Sequence, residues 1–484
     1  MSDEPLVILE RSVPGRIGLS LPRSDVPPTE PTDVLPINLL RKAPARLPEV
    51  SEPEVVRHYI NLSAKNHHVD KNLYPLGSCT MKYNPKVNDA LAALPGFSGL
   101  HPEQTDADCQ GALTLMYRLE QALAKITGMS RFTLQPSAGS QGELVGILIM
   151  HAFHDQQGSH RRYVIIPDSA HGTNPASVVM GGYETLKVAT NHRGRVDLED
   201  MRSKLSAEVA GMMLTQPNTL GLFEDEIATI SEMVHSTGGL MYMDGANLNA
   251  IMGLSRPVDM GFDITHINLH KTFSTPHGGG GPGSGPIGVV ERLVEFLPRP
   301  LVEPSADDTF RLDHDGPSSI GRMHAFHGNF AMLVRAYAYI LSLGEEGLRS
   351  ISRRAVLNAN YLKSLLTNAF ELPFGEGIMH EFVLSGSRQK KRGVKTLDLA
   401  KALLDYGFHA PTVYFPLVVP EALMIEPTES ETKATLDRFS EVMQELDRFV
   451  DEDPERLLDA PSTTPIGRLD ETQANRELDV RWVP

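Results

Sequence analysis

Apolar runs of strand length alternate with helical patterns between about residues 110 and 290. A helix is predicted over residues 110–129, because apolar positions recur there every three or four residues. These positions are Leu113, Met116, Leu119, Leu123 and Ile126. Strands are predicted at residues 131–135, 162–167, 209–216, 239–247 and 263–270. Such alternation is typical of crossover units, so we expect an α/β fold with a mainly parallel sheet and helices on both faces.

The segments on either side of this region have a different character. Amphipathic helices are predicted at residues 330–343 and 348–368, and a smaller α/β region follows to about residue 446. The first 53 residues hold ten of the 35 prolines, which disfavour helices and predict an extended arm that packs on a partner. We therefore expect four parts. They are a proline-rich arm (1–70), a large domain (71–330), a small C-terminal α/β domain (331–450) and a polar tail (451–484).

The composition is that of an ordinary globular protein, with 22% charged and 41% apolar residues. A net charge of −16 argues against nucleic-acid binding, and no apolar run reaches the ~18 residues that a membrane span needs. No secretion signal is expected, since residues 1–5 lack a basic segment and an apolar core. Two cysteines, Cys79 and Cys109, are too few for a disulfide scaffold, so we expect a cytoplasmic protein. Their spacing to histidines predicts no metal site.

Candidate chemistry is concentrated in residues 263–290. The predicted strand there ends in His270 and Lys271, and the glycine run Gly278–Gly281 follows His277. A lysine at a strand end suits covalent binding of an aldehyde cofactor, because desolvation keeps the amine reactive. Glycine lets the backbone come close to that cofactor. A flexible surface loop beside an exposed lysine is the alternative.

A second part of a cofactor site is the turn of small residues between a predicted strand and a helix at residues 144–153. Backbone N–H groups at Ala138, Gly139 and Ser140, together with the helix dipole, can bind a phosphate there. The turn lacks the Lys-Ser/Thr of a nucleotide P-loop. Taken alone, such a turn is more often an ordinary helix start capped by serine.

Three more polar residues follow predicted strands. His171 could stack on a flat heterocycle, Thr215 could bond a phenolic oxygen, and Asp244 could keep a pyridine nitrogen protonated. Each of them alone could equally be a capping or loop residue. Because ligands bind at the carboxyl ends of strands in open α/β sheets, the whole series with Lys271 predicts one pyridoxal phosphate site.

Four motifs carry a resemblance to a known family. Residues 135–140, 168–175, 243–247 and 268–286 resemble glycine decarboxylase, the pyridoxal phosphate P-protein of the glycine cleavage system, and more narrowly subunit 2 of its two-chain form. Residues 74–85, 319–322 and 328–330 also match, so the resemblance covers roughly residues 70–450. Gln141 and His327 stand where the family pattern has histidine and tyrosine.

The resemblance implies a fold-type-I enzyme with a mainly parallel, seven-stranded sheet. It implies an oxidoreductase of glycine catabolism, glycine dehydrogenase (aminomethyl-transferring). Such an enzyme decarboxylates glycine and passes the aminomethyl group to the lipoyl arm of H-protein, with release of CO2. The implied partners are a homologous subunit 1 in a heterotetramer, H-protein, aminomethyltransferase and dihydrolipoyl dehydrogenase.

The resemblance also implies roles for individual residues. The implied catalytic residues are Lys271, His171 and His270. The implied cofactor-binding residues are Lys271, Ala138, Gly139, Ser140, His171, Thr215, Asp244, Ala246 and His270.

Other interpretations stay open from the sequence. The chain could be another amino-acid decarboxylase or a serine hydroxymethyltransferase-like enzyme, a non-catalytic half of a heteromer, or a folded protein with a coincidental glycine loop. The residues around Lys271 argue against the first, and the presence of both Lys271 and Asp244 argues against the second. The basic run Arg388–Arg392 is a candidate docking surface for an acidic lipoyl carrier, although such runs are more often solvated loops.

Overall fold

The computed structural model describes residues 6–305 and 307–482, which divide into two units. One unit comprises the residues up to His68 together with those from Pro461 onward, and the other comprises Val69–Ala460. Among the described residues, no helix is both long enough and apolar enough to cross a membrane.

The larger unit is built on a seven-stranded sheet. Its strands are β1 (Arg131–Thr133), β2 (Tyr163–Pro167), β3 (Glu184–Val188), β4 (Val209–Thr215), β5 (Leu240–Gly245), β6 (Ile264–Ile267) and β7 (Ile287–Val289). They lie in the order β1-β7-β6-β5-β4-β2-β3, and β7 runs antiparallel to both of its neighbours. The predicted mainly parallel sheet is confirmed. The partly exposed edge strand β3 was not predicted.

Helices cover both faces of this sheet. Alternate residues of β5 enter two cores, with Leu240 and Tyr242 in one and Met241 and Met243 in the other, as the two-residue period of a strand requires. The helices of this unit are Lys86–Ala92, Pro95–Ser98, Gln110–Thr127, Gly139–Gln156, Thr173–Met180, Leu198–Lys204, Ile227–Ser236, Leu269–Thr272, Phe330–Leu366, Ser387–Lys391, Thr396–Asp405, Lys433–Glu452 and Pro454–Asp459.

The helix Gly139–Gln156 lies very close to the sheet because glycines face it. A Cβ atom at Gly146 would lie 2.0 Å from the Tyr242 ring, and one at Gly142 would lie 2.7 Å from the Gly285 carbonyl oxygen. No side chain larger than hydrogen fits at these two positions without moving the sheet. The close approach brings the start of the helix to the carboxyl edge of the strands.

The C-terminal part of this unit has its own sheet and core. After the ribbon of β8 (Leu301–Pro304) and β9 (Phe310–Asp313) come β10 (Phe382–Ser385), β11 (Thr412–Val413) and β12 (Ala422–Ile425), in the order β10-β12-β11. The two helices predicted after residue 330 form one long element, interrupted at Gly344 by a φ of 61°. The first ten residues of the expected polar tail (451–484) belong to this part instead, because Leu457 and Ala460 are buried in its core. The other predicted domain boundaries stay predictions.

The smaller unit is mostly extended, with two helices before His68. Pro31–Val34 forms one helical turn despite its proline, because proline is tolerated at the first helical position. Glu52–Lys65 forms a longer helix within the segment expected as an arm. Its start is stabilised by Glu54, which accepts hydrogen bonds from the Ser51 N–H and hydroxyl at 2.9 and 2.8 Å.

Gly146→Ala should destabilise the fold by about 1–3 kcal/mol, since the new methyl group overlaps the Tyr242 ring and the packed helix cannot retreat. Gly111→Ala is the matched control. It also lies in a helix, and its Cβ would meet nothing within 4 Å, so it should be neutral or stabilising by up to ~1 kcal/mol. Thermal unfolding midpoints of the two variants provide the comparison. Equal midpoints would contradict the close packing of helix and sheet.

Candidate active site

One cavity of about 190 Å³ lies at the carboxyl edge of β4, β5 and β6. The structure brings together in it every residue that the sequence predicted for catalysis or cofactor binding. These are Lys271, Ala138, Gly139, Ser140, His171, Thr215, Asp244, Ala246 and His270. The other lining residues were not predicted as site residues from the sequence. They are Ser78, Glu143, Thr173, Thr219, His266, Asn268 and His277.

The turn before the helix that begins at Gly139 presents backbone N–H groups to the cavity. Ala138 precedes the helix, and no side chain caps its first turn. A Cβ atom at position 139 would lie 2.3 Å from Asn268 Nδ2, so any other residue there would have to displace the Asn268 side chain. Gln141 Oε1 accepts hydrogen bonds from the Ser137 N–H at 2.7 Å and from its hydroxyl at 3.0 Å. An uncapped helix start held in this way suits an anionic group.

Asp244 lies buried at the end of β5 with every carboxylate oxygen in a contact. Its Oδ2 accepts hydrogen bonds from Asn174 Nδ2 at 3.0 Å and the Thr215 hydroxyl at 3.4 Å. Its Oδ1 accepts one from the Ala246 N–H at 2.9 Å and lies 3.3 Å from His266 Nε2. Burial alone would raise the pKa of Asp244, but His266 and these hydrogen bonds outweigh it and lower the pKa. The carboxylate is therefore ionised and can bind a protonated nitrogen.

Two buried groups that the sequence did not reveal surround Asp244. The Tyr242 hydroxyl lies 2.7 Å from His266 Nδ1, which orients the other ring nitrogen toward Asp244. Glu143 accepts hydrogen bonds from the Thr173 hydroxyl at 2.8 Å and the Ser177 hydroxyl at 3.1 Å. Burial and the nearby charge of Asp244 raise the pKa of Glu143. Asp244 is thus the more acidic of the two carboxyl groups.

His171 lies in the turn after β2, and two contacts orient its ring. Its Nδ1 is 2.8 Å from the Thr173 hydroxyl oxygen, and the Phe415 ring meets it edge to face at a centroid distance of 5.5 Å. Burial and the charge of Lys271 lower the pKa of His171. A neutral flat ring held in this way can stack on a heterocycle, as the sequence predicted.

Lys271 differs slightly from its predicted position. Strand β6 ends at Ile267, and Lys271 lies on the short helix that follows. Its Nζ donates a hydrogen bond to the Ser78 carbonyl oxygen at 2.6 Å. Another lysine nearby, Lys82, is buried and pairs with Glu429 at 2.6 Å. Lys82 is therefore committed to an ion pair, whereas Lys271 faces the cavity.

His270 lies against His277, with ring centroids 4.1 Å apart. The Ser284 N–H donates a hydrogen bond to His270 Nδ1 at 3.3 Å. Burial and then the charges of His277 and Lys271 lower the pKa of His270 to about 3. So weak a base stays neutral near neutral pH, which limits any proton transfer by this implied catalytic residue.

The basic run proposed as a docking surface is partly neutralised. Lys390 pairs with Glu421 at 2.6 Å, and Arg392 pairs with Asp447 and with Asp451. Gln389, within the run, is fully buried. These pairs hold the side chains on the domain surface and weaken the case for docking an acidic carrier there.

Two family models match the sequence. The model described as "Glycine cleavage system P-protein" matches residues 30–314, and the model described as "Glycine dehydrogenase, C-terminal domain" matches residues 351–460. Two curated relatives are both named "Probable glycine dehydrogenase (decarboxylating) subunit 2". The one from Chloroherpeton thalassium is 57% identical over 484 residues, covering 99% of this chain and 98% of the relative. The one from Chlorobium chlorochromatii is 59% identical over 478 residues, covering 99% of both chains.

Solved structures share the fold at lower identity. A glycine decarboxylase (P-protein) of the glycine cleavage system, in inhibitor-bound form, superimposes with a TM-score of 0.73 at 22% identity, covering 86% of this chain and 94% of that chain. A glutamate decarboxylase from Lactobacillus brevis superimposes with a TM-score of 0.65 at 14% identity, covering 85% and 96%. These likenesses show the fold that the two chains have in common with this one.

Proposed function

The chain belongs to the glycine cleavage system P-protein family and, within it, to the subunits 2 of glycine dehydrogenase (decarboxylating). From that premise we propose that it decarboxylates glycine with pyridoxal phosphate bound at Lys271. The aminomethyl group passes to the lipoyl arm of H-protein, and CO2 is released. The fold-type-I architecture, which the family and its solved neighbours share, supports this cofactor.

The main support for the proposal is that Lys271, Asp244 and the uncapped helix start at Gly139 line one cavity. The cofactor has an aldehyde, a ring nitrogen and a phosphate. Lys271 offers an amine to the aldehyde, Asp244 offers a carboxylate to the ring nitrogen, and the helix start offers backbone N–H groups to the phosphate. Buried polar atoms at the edge of the site also lack a partner among the described residues. They are Asn268 Oδ1, His277 Nδ1 and Ser284 Oγ. The residues present therefore fit the cofactor.

The chain's own groups have separate roles in this proposal. When bound, pyridoxal phosphate supplies a protonated ring that accepts the electrons of the breaking carbon–carboxylate bond. Asp244 would hold the proton on the ring nitrogen, and His171 would limit the tilt of the ring. Lys271 would hold the cofactor through its amine, and the free amine donates its hydrogen bond to the Ser78 carbonyl oxygen.

The charge distribution of the cavity supports decarboxylation. Among the lining residues that the structure describes, none is an arginine and one, Lys271, is a lysine. An arginine paired with the substrate carboxylate would stabilise the charged ground state more than a transition state in which that charge moves into the ring. A site without that pair favours loss of CO2.

We also propose the partners that the family has. Within the N-terminal arm, Ile17, Leu19 and Leu21 are 73%, 80% and 84% exposed, which is costly for apolar side chains that meet only water. The arm therefore packs on a homologous subunit 1 in a heterotetramer. H-protein, aminomethyltransferase and dihydrolipoyl dehydrogenase complete the system. Two cysteines among 484 residues fit a reducing cytoplasm.

Borohydride reduction of the protein with pyridoxal phosphate should attach the cofactor to Lys271, and Lys271→Ala should lose the label while keeping its circular dichroism spectrum. Peptide mass spectrometry locates the attachment. Lys86→Ala is the control, because Lys86 is exposed and pairs only at the surface with Asp70. A label on Lys82 in the wild-type protein would contradict the assignment.

The purified chain should exchange the carboxyl carbon of glycine with bicarbonate poorly by itself. Addition of subunit 1 should restore exchange, because the exposed apolar arm needs a partner. Replacing Ile17, Leu19 and Leu21 together by serine should weaken the response to subunit 1 while leaving labelling of Lys271 intact. Full exchange by the lone chain with lipoylated H-protein would refute the two-chain requirement.

A further inference from the structure

A turn of unusual backbone conformation faces Lys271. Ser78 and Thr80 have φ angles of 68° and 45°, in the left-handed region that residues with side chains seldom adopt. The carbonyl oxygen between these strained positions, that of Ser78, accepts the hydrogen bond of Lys271 Nζ. Strain of this kind persists only when neighbouring groups hold it, and it is often found at active sites.

Two fully buried carboxyl groups hold this turn. Glu381 Oε2 accepts a hydrogen bond from the Ser78 N–H at 2.8 Å, and Glu426 Oε2 accepts one from the Thr80 N–H at 3.0 Å. Both glutamates are 0% exposed. They belong to the C-terminal sheet, where Glu381 directly precedes β10 and Glu426 directly follows β12.

The same carboxyl groups also reach the segment after Asp244. Glu381 Oε1 accepts a hydrogen bond from Asn247 Nδ2, and Glu426 Oε1 accepts one from Asn249 Nδ2, both at 3.1 Å. All four oxygens of the pair are therefore occupied by donors. The pair therefore links the Ser78–Thr80 turn, the segment after the strand that carries Asp244, and the C-terminal sheet.

We propose that Glu381 and Glu426 are positioning residues of the proposed reaction, which fix the Ser78–Thr80 turn so that the Ser78 carbonyl holds the Lys271 amine ready to bond the cofactor. The proposal rests on the proposed function, since it assumes that Lys271 carries the cofactor. Neither glutamate lines the cavity, so each acts through the turn.

The electrostatic surroundings agree with this role. Burial raises the pKa of both carboxyl groups, that of Glu426 to about 7, and the charge of Glu426 also raises the pKa of Glu381. The other groups that face the pair are Lys271, the Cys79 thiol and His380, whose pKa burial lowers to about 3. The hydrogen bonds to the two carboxyl groups and the charge of Lys271 oppose the effect of burial on their pKa values.

In the full chain carrying Glu381→Ala, labelling of Lys271 by borohydride should weaken, whereas the total amount of bound pyridoxal phosphate should not. Equilibrium dialysis should show near-normal total binding. The concentration that half-saturates labelling at Lys271 should rise about ten-fold, as expected when the acceptor of a partly buried donor is lost and the donor is left unpaired. A residue needed only for stability would lower both quantities together.

Three further variants make the test specific. Glu381→Gln keeps one acceptor for the Ser78 N–H and should restore most of the labelling. Ser78→Gly in the Glu381→Ala background should restore part of it, because glycine adopts a positive φ without a carboxylate to hold it. Glu431→Gln is the control and should label like the wild type. Glu431 is half-buried and follows Glu426 by five residues, and burial likewise raises its pKa to about 7. The hydrogen bonds described above for the Ser78–Thr80 turn do not involve it.

The outcomes separate the two proposals. If the wild-type protein is not labelled at Lys271, the proposed function fails. If the wild-type protein is labelled and Glu381→Ala is labelled with the same half-saturating concentration, the positioning role alone is refuted. If Glu381→Ala does not fold, the same measurement on Glu426→Ala, which removes the acceptor of the Thr80 N–H, decides the matter. A two-fold or smaller rise in its half-saturating concentration would also refute the positioning role.

Discussion

Burial of the Asp244 carboxylate is the constraint on which the site depends. A buried charge without partners would cost several kcal/mol, so the protein must surround it with donors. Asn174, Thr215, Ala246 and His266 meet that requirement from four different segments. The result is a carboxylate that remains ionised at the end of a buried strand, where a pyridine nitrogen can use it.

Close packing brings the other parts of the site to that carboxylate. Glycines at 142 and 146 let one helix lie almost on the backbone of the sheet, and its first turn therefore reaches the carboxyl edge beside Asn268. Lys271 approaches from the next strand, on a single helical turn. The glycines of this helix thus determine where the cavity lies, and the polar residues at the strand ends determine its chemistry.

The sequence could predict residues at or just after the ends of strands, because the end of a strand is a local pattern. His171, Thr215 and Asp244 were found in this way, and the glycine run identified Lys271. Ser78 could not be found, since it lies 193 residues from the lysine that it contacts. Glu381 and Glu426 could not be predicted either, because no periodicity or motif marks a single buried glutamate beside a strand. Their role depends on how the C-terminal sheet packs on the large sheet, which no local pattern encodes.

The central claim is that Asp244 keeps the cofactor ring protonated, and the ring nitrogen itself reports on it most directly. The protein should be loaded with pyridoxal phosphate that is isotope-labelled at this nitrogen, and its NMR chemical shift followed across the neutral pH range. The wild-type protein should give the shift of a protonated nitrogen throughout, and Asp244→Asn should give that of an unprotonated one. An unprotonated nitrogen in the wild-type protein would contradict the account.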